Sequence, residues 1–149
     1  VKAENLQPAT LEEVNRVLAA LPDLTAPGFD SYYAARHERK NARRKLEALP
    51  AEGRSPPASI TDLEVRKQIP GAGLFLRQHY QQTKTMRRTV GTSYGLKHEA
   101  ERWLGRYISN GALIAAAYLE GCLIERDGPN AYLSLSPTRE YRRALRGDY

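Results

Sequence analysis

Residues 112–119, ALIAAAYL, wind into a helix that is apolar on every side, and this run constrains the chain more than any other. Such a helix must sit inside a core or a membrane. The run is far short of the roughly 20 residues that cross a bilayer, so a buried central helix is expected. Ser109 or Asn110 supplies its start and Gly121 its stop. A chain of 149 residues can bury such a core without disulfides or metal, and 41% hydrophobic with 27% charged residues is a globular composition. Cys122, the one cysteine, has no internal partner. It reads as a small buried hydrophobe, fits a reducing, cytoplasmic setting and excludes Cys-rich zinc modules. No charged start followed by an apolar stretch marks a signal peptide. Val1 where Met would stand fits a processed start, a non-ATG start or the edge of an expressed piece.

The rest of the chain is expected to pack around this helix. Thr10 and Glu13, ahead of Val14, Val17, Leu18 and Leu21, have the spacing of a capping box, and Pro22 ends that first helix. Asp30 is placed to cap a second helix to about Leu49. Three prolines and a glycine in 50–59 mark a linker, dividing a 1–50 helical region from a 59–149 core unless the two form one domain, 1–149. Ser59 or Thr61 starts a short helix through Ile69, which Pro70, Gly71 and Gly73 break, and the helical pattern returns from Leu74 to about Val90. His79 falls with the apolar set of that helix.

Ser93 is read as the cap of a helix that turns Leu96, Ala100, Trp103 and Leu104 inward and Lys97, His98, Glu101 and Arg102 outward, with Gly105 as its stop. After the central helix, alternation in 122–126 and 131–135 around Asp127, Gly128, Pro129 and Asn130 predicts a hairpin. Ser136 and Pro137 open a last helix carrying Arg139, Arg142, Arg143 and Arg146 around Tyr141 and Leu145. The fold class is mainly α, a single helical domain with a small C-terminal β-hairpin. Helix, turn, helix and hairpin follow in a winged-helix-like order.

A net charge of +6 and a pI near 9.6 turn that order toward nucleic acid. The excess positive charge lies mid-chain: residues 35–49 hold six basic against two acidic groups. Arg36, Arg39, Lys40, Arg43 and Arg44 share one arc of the second helix, with Tyr32 and Tyr33 near its start as stacking platforms. Arg77, Lys84 and Arg88 share the outer face of the 74–90 segment. Aligned cations match phosphates without reading bases, and the same faces serve equally as a solvated surface or as a dock for an acidic protein. The central helix offers no side chain suited to base edges and ends in Glu120, leaving Arg106, Asn110, Arg126 and Asn130 as contacts near a groove. Free N–H groups at Ser109, Asn110 and Gly111 suit an anion or ordinary capping.

His37, His79 and His98 lack metal-ligand spacing, and no phosphate-binding loop, nucleophile elbow or paired-carboxylate pattern is present. His98 has Tyr94, Glu101 and Arg102 within reach on its helix face and is the one place for a nonstandard catalytic site. No enzyme activity, cofactor or metal is expected.

SYGLKH at 93–98, YISNG at 107–111 and GPNAY at 128–132 resemble segments of small uncharacterised proteins carried by phages and plasmids. The resemblance covers the C-terminal third and implies a context, with no site residues attached. A small basic protein of a mobile element acts on DNA as an accessory factor or interferes with a host defence complex. The sequence therefore favours weakly sequence-specific nucleic-acid binding, most simply to DNA. The alternative is a protein-binding inhibitor of anti-CRISPR or anti-restriction type, docking on a nucleic-acid-processing enzyme.

Overall fold

The computed structural model describes residues 5–30 and 56–147. The helix expected from Asp30 to Leu49, with Arg36, Arg39, Lys40, Arg43 and Arg44, lies outside the described residues. Mainly helical structure with a C-terminal hairpin is what the described residues form: five α-helices and three two-stranded antiparallel sheets.

Helix α1, Leu11–Ala20, starts at the expected capping box. The Thr10 hydroxyl accepts from the Glu13 amide at 3.1 Å, and the Glu13 carboxylate accepts from the Thr10 amide at 3.0 Å. Val14 and Val17 form its buried face. The chain then makes a tight antiparallel pair, β1 Leu24–Thr25 and β2 Gly28–Phe29, and buries the Phe29 ring completely.

Helix α2, Leu63–His79, runs straight through Pro70, where the sequence pattern predicts a break. A proline inside a helix leaves the carbonyl four residues earlier without a donor. Here that carbonyl belongs to Arg66, and the Ala9 amide occupies it at 3.0 Å. Gly71 and Gly73, read as breakers, serve as close-approach positions: a Cβ on Gly71 would lie 3.3 Å from Leu104 Cδ1, and one on Gly73 would lie 3.2 Å from Glu120 Oε1. The helix ends at His79 rather than Val90. Its last residue leads into β3, Tyr80–Gln82, and a 3₁₀ turn over Arg88–Val90 follows.

Helix α3, Ser93–Leu104, stops at Gly105 as expected. Its cap position is Thr92, and Ser93 is buried instead, its hydroxyl donating to Asn110 Oδ1 at 2.7 Å and accepting from the Ala131 amide at 3.0 Å. Lys97 also departs from the outward face, being only 6% exposed. Its long stem carries the ammonium to the Ile108 carbonyl, 3.1 Å away, and to Glu101.

Helix α4, Asn110–Leu119, is the central helix. Ser109 caps it, and every residue from 110 to 117 is buried. Strands β4, Ile124–Asp127, and β5, Asn130–Leu133, form the expected hairpin, and Thr92 bridges Tyr132 beside it. Ser136 and Pro137 fall in a strand, not a helix: β6, Leu135–Pro137, returns to pair with β3. Thr138 caps the last helix, α5, Arg139–Arg146. Phe29, Ile60, Phe75, Leu96, Leu113, Ile114 and Leu133 meet in one core, so residues 9–29 and the C-terminal part share it.

Candidate nucleic-acid interface

In a helix-turn-helix the second helix faces a groove, and in the order expected from the sequence that place falls to α4. The β1–β2 pair covers its N-terminus: the Gly111 amide donates to the Ala26 carbonyl at 2.7 Å. A Cβ on Gly111 would lie 1.9 Å from the Thr25 carbonyl oxygen, so only glycine permits this approach. The hairpin turn is held in the same way. Phe29 donates its amide to the Pro129 carbonyl at 3.0 Å, and Gly28, at φ +129°, has no room for a side chain against that oxygen.

Asn110 lies at the centre of this junction. Its amide nitrogen reaches the Pro27 and Pro129 carbonyls and Asn130 Oδ1, while its oxygen accepts from Ser93. Both Asn110 and Asn130 are thus engaged inside the fold. Arg126 pairs with Asp23 and lies over the Phe29 ring, 4.2 Å from its centroid, which ties the hairpin to the β1–β2 pair.

The arginines of the expected outer face are likewise matched. Arg77 pairs with Glu120, and Arg88 pairs with Glu125 while lying 5.8 Å from the centroid of Tyr132. Because α2 ends at His79, Lys84 and Arg88 do not continue the face of Arg77. Lys84 is exposed on the loop after β3, and Arg106 approaches Gly71.

A different basic surface emerges where β3, β6, the 3₁₀ turn and α5 meet. Arg139, Arg142 and Arg143 on α5 and Arg87 before the turn are exposed, and none makes an ion pair among the described residues. Residues 139, 142, 143 and 146 share one helical face, a spacing legible in the sequence. Arg142 is held toward the strand by its bond to the Ser136 hydroxyl at 3.2 Å. Arg87 and Arg142 border a cavity of about 420 Å3, with Tyr80 and Glu99 at its inner side.

Glu99 organises that inner side. One of its oxygens, Oε1, accepts from the hydroxyls of both Tyr80 and Tyr141 at 2.8 Å. Burial, reinforced by the Glu99 charge and these bonds, pushes both phenols above the ordinary tyrosine value, so they remain donors. The Tyr141 ring packs 4.4 Å from His79 and 6.0 Å from Phe75, fixing α5 to α2.

His98 is placed apart from this surface, with its Nδ1 3.3 Å from Glu101 and its ring edge-on to Tyr94. Burial raises the Glu101 carboxyl, but Lys97, the Ile108 amide and His98 outweigh it and hold the group below the ordinary value. These contacts account for His98 as a local partner of its own helix.

Among the described residues, no helix is long and apolar enough to cross a membrane. Comparisons with protein-family models, with curated proteins and with solved structures give no match.

Proposed function

We propose that this chain binds nucleic acid through its phosphates, without catalysis and with little reading of bases. The observation that carries this reading is the exposed set Arg87, Arg139, Arg142 and Arg143, which has no ion-pair partner among the described residues. Guanidinium groups without a carboxylate partner, on a helix and its neighbouring loop, are suited to successive phosphates. The basic residues at 36, 39, 40, 43 and 44 add positive charge in this reading.

The order α2, Thr92 bridge, α3, α4 and β4–β5 supports a winged-helix-like arrangement whose second helix has become core. Burial of α4 explains why base readout is weak: its side chains have no access to a groove. The buried single Cys122 suits a reducing cytoplasm, and the mobile-element resemblance supplies the setting, an accessory factor acting on DNA.

The test is fluorescence anisotropy with labelled random-sequence DNA and RNA at about 50 and 200 mM salt. Micromolar binding that falls steeply with salt is expected, and lost when Arg139, Arg142 and Arg143 are changed together to Gln. Arg77→Gln, at a paired arginine, leaves binding intact. Absence of binding at low salt overturns the reading.

Leu145 favours a second reading, because it stands exposed beside these arginines and borders the same cavity. An apolar anchor ringed by arginine suits an acidic protein, as an inhibitor of a host defence complex would require. Under that reading Leu145→Ser weakens capture of the partner as much as the arginine changes do, while DNA is ignored.

A further inference from the structure

The cavity between Arg87 and Arg142 has both the size and the mixed lining of a small-ligand site. Two guanidinium groups border it, and Arg142 is pre-positioned by the Ser136 hydroxyl. Val90 and Leu145 add apolar surface to the wall. At the inner side Glu99 has spent Oε1 on the two tyrosines, while Oε2 makes no hydrogen bond among the described residues. An anion alone would suit the arginines and be repelled by Glu99. A ligand that carries a phosphate at one end, an apolar ring and a hydroxyl or amino donor suits all three parts.

From this juxtaposition we propose that the cavity binds a nucleoside 5′-phosphate. The phosphate lies in the guanidinium forks of Arg87 and Arg142, the base or sugar packs on Val90 and Leu145, and Glu99 Oε2 accepts from a sugar hydroxyl or base amine. The same group occurs at the 5′ end of a strand and as a free nucleotide. The strand-end form rests on the nucleic-acid reading above, because the cavity opens within that arginine surface.

The experiment compares a 5′-phosphorylated oligonucleotide with its 5′-hydroxyl twin by anisotropy, and titrates free nucleoside monophosphates by calorimetry. A strand preference of about tenfold for the phosphate is expected, equivalent to about 1.4 kcal/mol. Arg142→Lys retains the charge but removes the fork, and Ser136→Ala releases the side chain that holds it. Both variants bring binding of the phosphorylated strand down to that of the 5′-hydroxyl strand measured with the same variant, and an unchanged melting curve establishes that they fold. Binding of free monophosphate, abolished by Arg142→Lys, with no strand binding supports the cavity and overturns the nucleic-acid reading. Equal binding of both strands with no free monophosphate bound overturns the cavity and leaves that reading standing. No binding of any of the three overturns both.

Discussion

The Ala9 amide donates to the Arg66 carbonyl oxygen at 3.0 Å, and that oxygen is the acceptor which Pro70 cannot serve. Arg66 answers with its side chain, Nη1 lying 3.2 Å from the Ala9 carbonyl. The proline thus creates a docking point for the segment before α1. Restoring an N–H with Pro70→Ala introduces a competitor for the same oxygen. Amide exchange at Ala9 is expected to speed up by about tenfold, the loss of one net hydrogen bond, with α2 still helical. Unchanged protection of Ala9 would mean that the Arg66 side chain alone holds the segment.

Gly111→Ala places a methyl group 1.9 Å from the Thr25 carbonyl oxygen. Neither backbone can yield without opening the β1–β2 contact, so a loss of about 3 kcal/mol is expected in denaturant unfolding. Ala at the exposed Gly95, where a Cβ would meet nothing within 4 Å, is the matched control and leaves stability the same or slightly higher.

Tyr80 and Tyr141 give the fold an alkaline limit. Burial and then Glu99 raise both phenols in the folded chain, whereas in the unfolded chain they ionise near the ordinary value of about 10. Their contribution is therefore complete below about pH 10 and declines as the pH climbs above it. Of the nine tyrosines, these two are expected to ionise only together with unfolding, followed by tyrosinate absorbance against circular dichroism. Glu99→Gln flattens the alkaline slope. Ionisation of all nine in the folded state would contradict the arrangement.

Lys97 governs the acid side. Changing it to Met leaves the Ile108 carbonyl without its ammonium and Glu101 without its cation, at a cost of about 1–3 kcal/mol. Because Glu101 sits below its ordinary value in the fold, it adds stability above about pH 4.5 that disappears as the pH falls through its folded value. The acid-side loss of stability is expected to become smaller in Lys97→Met, measured as urea midpoints across that range. An unchanged slope would assign the acid sensitivity elsewhere.

The sequence was most legible where one local rule sufficed. The capping box at Thr10, the apolar α4, the Gly105 stop and the hairpin around Gly128 each follow from a few neighbouring residues. It misled where a distant residue supplied what the local rule lacks. Pro70 breaks a helix unless something like Ala9 takes the freed carbonyl, and a Lys at the edge of an apolar face points outward unless a carbonyl such as that of Ile108 waits beside it. Strands β3 and β6, of three residues each, are too short to show alternation. For the interface, helical projection grouped Arg77 with Lys84 and Arg88 across a helix that ends between them. The arginine spacing of α5 was plain in the sequence, but its closeness to Arg87 depends on the β3–β6 pairing.

The β1–β2 pair also orders events during synthesis. Asn110 meets Pro27 across 83 positions, and Arg126 meets Asp23 across 103. The N-terminal pair therefore emerges from a ribosome long before the helix and turn that it grips exist. Phe29 must wait, exposed, until Pro129 has been made, and closure over such separations is slow. A late step of assembly is then the seating of a segment translated well before the residues that hold it.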